Sequence, residues 1–131
     1  MPVCSPALLE AGPPIRTPQD VLAHTLLFVS RPYEWELWAQ ASGVDLSKAR
    51  SLQLTEYNIV VQAALDGLGL AMGRHLLVEE RLRSRTLSSP LPQPVCPPAL
   101  GYWICHSRRG LTPQAQALVD WLRKTARESA G

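Results

Sequence analysis

The sequence predicts an α/β fold in which a parallel sheet is flanked by helices. Residues 52–82, LQLTEYNIVVQAALDGLGLAMGRHLLVEERL, spell strand, capped helix, glycine turn, strand and second helix. Ahead of them, the β-prone run 25–29 is followed by a helix-period stretch that closes at Gly43. The resulting βαβαβα order argues for parallel strands with ligands favoured at their carboxyl ends.

Taken in order, Ser5-Pro6 and Thr17-Pro18 each place a hydroxyl before a proline at a first helical position. They predict two short helical turns on either side of Gly12-Pro13-Pro14. Residues 25–29 are compact and β-prone, and Ser30-Arg31-Pro32 ends them. Trp35, Leu37, Trp38 and Ala41 suit a helix, and residues 44–51 form a polar connection. Leu52 and Leu54 alternate toward one face of the next strand. Thr55 then offers its hydroxyl to the amides of a helix whose Ile59, Val60, Ala63, Ala64 and Leu68 share the helical period. Gly67 and Gly69 supply the turn into strand 70–72, and residues 75–83 form a short helix. Residues 90–98 hold five prolines in nine positions, which forbids a central strand or helix and predicts an extended crossover. Beyond it, 102–105 reads as a strand. Thr112-Pro113 caps a helix with an apolar stripe of Ala115, Leu118, Val119 and Leu122, widened by Trp121.

Bulk properties narrow the function classes. With 131 residues the chain suits one domain and buries roughly two-thirds of its unfolded surface. Hydrophobic residues make up 46% and charged residues 18%, with net charge +2, so neither disorder nor a polyanion-binding tail is indicated. Arg81, Arg83 and Arg85 follow Glu79 and Glu80 and read as a solvated helix end. Cys4, Cys96 and Cys105 are odd in number, widely spaced and without a secretory leader, which predicts a reducing, cytoplasmic setting. The apolar runs fall far below the roughly 20 residues that cross a bilayer.

Candidate chemistry lies where strands end. Thr55 fits both an ordinary cap and a cap whose hydroxyl also faces a ligand. Ser30 and Arg31 should sit on the cleft rim, where Arg31 suits a ligand carboxylate, although a solvent-facing loop arginine fits the same position. Arg74 and His75 follow the strand at Met72 and also approach the cleft. Trp35 and Trp38, three apart, fit a packing face better than an aromatic wall. His24, His75 and His106 stand apart from any metal spacing, and side chains of Cys105 and His106 would leave a strand on opposite faces. Gly67-Leu68-Gly69 joins helix to strand, the reverse of a phosphate-binding loop. Catalysis, a cofactor and a metal are therefore not expected.

The segment 52–82, with PVCSPALL (2–9), EWELWAQASG (34–43) and GYWICH (101–106), resembles the effector-binding domain of LysR-type transcriptional regulators, in particular the glycine-cleavage-activator-like branch. This resemblance implies a sensor of the type 2 periplasmic binding protein kind, made of two lobes. Residues 1–89 would be the second, Rossmann-like lobe, 90–101 the hinge crossover, and 102–131 the return strand and C-terminal helix of the first lobe. It also implies that the chain begins near the first hinge crossing, so that the winged helix-turn-helix lies outside it. Thr55 matches a Ser or Thr that touches the effector in this family, and Ser30, Arg31 and Arg74 complete the expected effector-binding set. The implied partners are a small-molecule effector, bound weakly by one lobe, a second copy of the chain, and DNA only through the missing domain. A competing expectation is a truncated or free-standing fragment that self-associates through an unpaired strand and the Leu118 stripe.

Overall fold

The computed structural model describes residues 1–91, 103–107 and 110–129, and the chain divides into two compact units, 1–97 and 98–131. In the first unit, β1 (Pro2–Val3), β2 (Leu26–Val29), β3 (Ser51–Leu54) and β4 (Leu70–Met72) form one sheet ordered β1-β4-β2-β3. Both β3 and β4 run parallel to β2, while β1 lies antiparallel to β4 with Pro2 opposite Met72. That antiparallel edge, built from only two residues, has no period for a sequence reading to detect.

Among the described residues, the α-helices are α1 (Pro6–Ala11), α2 (Tyr33–Ser42), α3 (Tyr57–Leu65) and α4 (His75–Arg83) in the first unit and α5 (Pro113–Ser129) in the second. Ser5 caps α1 as predicted, its hydroxyl accepting from the Leu8 amide at 3.3 Å. Thr17-Pro18 opens a 3-10 turn, Pro18–Ala23, held by Asp20. The Asp20 carboxylate accepts from the Arg16 and Thr17 amides at 2.8 and 2.7 Å, and these backbone bonds hold its carboxyl below the usual carboxylate range.

Strand alternation divides the core into two layers. Leu26, Phe28, Leu70 and Met72 pack with Trp35, Trp38 and Ala39 of α2 on one face. On the other face, Val3, Leu27, Val29 and Ala71 pack with Val60, Val61, Ala63 and Ala64 of α3 and with Val78 of α4. Trp35 and Trp38 meet edge to face at 5.7 Å, and both are buried, as their spacing predicts. The Trp35 indole N–H donates to the Leu27 carbonyl at 2.9 Å and ties α2 to β2. Gly43 ends α2 in the left-handed region at φ 69°. Gly67 does turn the chain, at φ 77°. Gly69 serves a different need, since a Cβ there would lie 2.2 Å from the Thr25 carbonyl oxygen.

Several expectations need correction. Helix α3 begins at Tyr57 behind Glu56, and no side chain caps it, so Thr55 is not its cap. Ile59 and Leu68 are exposed, and Val61 takes their place on the buried face, because α3 ends at Leu65 and Leu68 lies in the turn beyond. Leu54 packs into the core, but Leu52 is exposed on the outer strand β3. Residues 103–107 form no strand; a strand exists only through a ladder, and none is made here, while Tyr102 lies outside the described residues. Most of the proline-rich crossover, from 92 to 100, also lies outside them. In the second unit the Thr112 hydroxyl accepts from the Ala115 amide at 3.3 Å, as predicted, and α5 leaves Leu118, Trp121 and Leu122 exposed.

Burial pushes the Cys4 thiol up to about 11, whereas Cys105 is exposed. The folded state favours the neutral thiol, so this contribution to stability is complete below the unfolded value of 9.0 and is lost as pH rises through about 11. Native alkylation with iodoacetamide, read by mass spectrometry near neutral pH, should modify Cys105 and spare Cys4 until the protein is unfolded.

Candidate functional site

The site arises from how three parallel strands end. Pairing between β2 and β4 stops at Leu27 opposite Ala71, whereas β2 and β3 stay paired to Val29 opposite Leu54. The chain leaves β2 for α2 on one face of the sheet, and leaves β3 and β4 for α3 and α4 on the other. Adjacent parallel strands whose connections depart to opposite faces open a crevice at their carboxyl ends. Here Phe28, Val29, Arg31, Glu34, Tyr57 and Met72 help to line a recess with about 10 Å³ of free space. That is room for about one water-sized group.

Two turns shape its rim. After β2, Ser30 adopts φ 53°, and the Arg31 amide donates back to the Val29 carbonyl. A non-glycine residue in the left-handed region costs about 1 kcal/mol or more, so this tight turn is held against its own preference. After β4, the Tyr57 hydroxyl donates to the Met72 carbonyl at 3.1 Å and accepts from the Arg74 amide at 2.8 Å. One phenol thus fastens the start of α3 to the turn that leads into α4.

Arg74 connects the crevice walls electrostatically. Its guanidinium stacks 4.4 Å from the Tyr57 ring centre and pairs with Glu34 of α2, Nε to Oε1 at 2.8 Å. The second approach, Nη2 to Oε2, is 3.5 Å. Both side chains are partly exposed, which limits such a pair to about 1 kcal/mol or less, and the cation–π contact adds about as much. A chain of α2, Arg74 and α3 therefore crosses the mouth with modest energy but defined geometry.

The four predicted residues occupy different places. Arg31 lines the recess, and Arg74 reaches it through Glu34 and Tyr57, both of which line it. Ser30 is exposed on the rim between two lining residues. Thr55 is exposed after β3 outside the recess wall, and its hydroxyl makes no hydrogen bond among the described residues. His75 opens α4 and faces solvent.

Sequence reasoning overlooked Glu34 and Tyr57. Glu34 reads as an ordinary first-turn acid and Tyr57 as the front of an apolar stripe, yet both stand just after strand ends, which was the available signal. Among the described residues no group of His, Cys, Asp or Glu gathers as a metal site, and no helix is long and apolar enough to cross a membrane. A Tyr57→Phe variant keeps the ring under Arg74 but removes both hydroxyl bonds. It should cost about 1–2 kcal/mol in urea denaturation and speed hydrogen exchange at the Arg74 amide.

Comparison with known proteins bears on the family and the fold. The profile of the LysR substrate binding domain matches residues 1–127. The glycine cleavage system transcriptional activator of Escherichia coli is 27% identical over 130 residues, covering 98% of this chain and 43% of the relative. The HTH-type transcriptional regulator TrpI of Pseudomonas aeruginosa is 33% identical over 129 residues, covering 94% and 42% respectively. This chain thus spans less than half the length of these relatives. Among solved structures, the effector domain of the transcriptional regulator AmpR of Pseudomonas aeruginosa superposes with a TM-score of 0.74 at 26% identity, over 99% of this chain and 61% of that one. With a family match over nearly its full length and a shared effector-domain fold, the chain belongs to the LysR substrate binding domain family.

Proposed function

We propose that this chain is the effector-sensing portion of a LysR-type transcriptional regulator, and that it senses a small molecule at the crevice where β2 and β4 part. The observation that carries this reading is the switch-point crevice itself, an apolar floor of Phe28, Val29 and Met72 with charged groups at its rim. Arg31 and Arg74 supply positive charge, and Ser30 and Thr55 supply hydroxyls from turns that follow the carboxyl ends of β2 and β3. The chain acts by binding, without catalysis or a cofactor, in the cytoplasm.

Residues 1–89 serve as the second lobe, 90–101 as the crossover and 102–131 as the closing segment and C-terminal helix of the first lobe. An effector between lobes shifts their relative placement, and so that of a DNA-binding dimer whose DNA contacts belong to a separate domain. Such a shift can be no larger than the ligand's differential affinity for the two arrangements. A single lobe offers half the contacts, so the present chain binds its effector weakly. Calorimetry with a ligand found by thermal-shift screening of the full-length regulator should show clearly tighter binding there than to residues 1–131. Equal affinity would refute the two-lobe account. In the full-length protein Arg31→Ala should weaken that ligand by about tenfold or more, as expected for a lost charge-assisted hydrogen bond.

A second reading is favoured by one observation, the exposed Leu118, Trp121 and Leu122 on α5. An apolar stripe of this kind suits self-association, with the C-terminal helix exchanged between two copies. Light scattering on the purified chain should give a dimer mass, and a strictly monomeric species at high concentration would count against this reading.

A further inference from the structure

Two guanidinium groups and one carboxylate meet at the crevice, and that combination discriminates among ligand chemistries. Arg31 lines the recess, and its guanidinium has no hydrogen-bond or ion-pair partner among the described residues. Glu34 lines the same recess with its carboxylate unevenly used. Oε1 is held by Arg74 Nε at 2.8 Å, whereas Oε2 lies 3.5 Å from Nη2, at the limit of a hydrogen bond. Oε2 therefore retains capacity for another donor.

Three classes of small ligand can be weighed against this arrangement. A bare carboxylate would find Arg31 but would bring no donor for Glu34 Oε2 in the same recess. A bare cation would find Glu34 but would face two guanidinium groups. A ligand carrying both groups on neighbouring atoms gives Arg31 an acceptor and Glu34 Oε2 a donor at the same time, and requires no break in the Glu34–Arg74 pair.

We propose that the recess binds a small zwitterion of the α-amino-acid type, its ammonium donating to Glu34 Oε2 and its carboxylate accepting from Arg31. Arg74 is then a positioning residue, since it holds Glu34 in place from the ring of Tyr57. The enclosed space of about 10 Å³ admits one water-sized group, so the ammonium head enters while the side chain stays in the open mouth. This inference rests on the crevice being the ligand site, and it adds the chemical class of the ligand.

Three compounds of one skeleton test it on the intact chain: L-alanine, propionate, which lacks the ammonium, and ethylammonium, which lacks the carboxylate. Amide NMR titrations should show saturable shifts at residues 30–31 and 73–74 with alanine, at roughly fivefold or higher apparent affinity than with either analogue. Glu34→Gln should reduce alanine to the level of propionate, and Arg31→Ala should remove the response to both. Both side chains lie at the surface or crevice rim, so both variants should still melt cooperatively, with Glu34→Gln lowered by no more than a few degrees for the lost pair with Arg74. Propionate binding as well as alanine, or an alanine advantage that survives Glu34→Gln, overturns the zwitterion but leaves the crevice standing as a ligand site. Absence of saturable shifts with all three compounds also overturns the zwitterion, and saturable alanine shifts that map away from the ends of β2 and β4 overturn the zwitterion and the crevice together.

Discussion

The constraint on which the rest depends is that β2 lies between two parallel neighbours while its own connection leaves by the opposite face. Parallel pairing with β3 and β4 fixes the direction of all three carboxyl ends. Because α2 covers one face and α3 and α4 the other, the chain must separate at the end of β2. The crevice is thus a consequence of topology, and side chains only decide what it can hold. The same arrangement explains why Trp35 is buried: its indole must reach the Leu27 carbonyl to dock α2 against the strand it has just left.

Around that opening the molecule uses weak interactions where strong ones would freeze it. The Glu34–Arg74 pair and the stacking on Tyr57 are partly exposed, each on the order of 1 kcal/mol, which suits groups that a ligand must engage. Firmer ties lie just beneath. The Tyr57 hydroxyl joins α3 to the β4–α4 turn through two hydrogen bonds, and Ser30 is kept at φ 53° by the turn that the Arg31 amide closes. Backbone strain beside a ligand crevice is consistent with a rim whose geometry is imposed by the surrounding fold.

Much of the fold was legible from residue pattern. The strand at Leu26–Val29, the Trp35 and Trp38 packing face, the Gly43 stop and the caps at Ser5 and Thr112 follow from local periodicity and turn chemistry. Local patterns failed where partners decide. Thr55 looks like a cap because it precedes an apolar period, but the first turn forms two residues later, and its hydroxyl is left facing outward. Residues 103–105 have strand-like composition, yet composition without a ladder partner makes no strand. For the candidate site, Arg31 and Arg74 stood out as residues after strands, whereas Glu34 and Tyr57, which also follow strand ends, were masked by fitting equally well as first-turn helix residues.

By itself, then, the sequence determined the α/β class, the order of elements from β2 to α4 and which turns end the parallel strands, because these follow from short-range spacing of apolar, capping and turn residues. Only the tertiary structure decided the antiparallel edge of Pro2–Val3 and the parting of β2 from β4 at Leu27. It alone brought Glu34, Tyr57 and Arg74 together. Glu34 and Arg74 are 40 positions apart, and no periodic pattern spans that gap. Their proximity comes from a crossover that places two strands side by side, a long-range fact that local chemistry permits but does not encode.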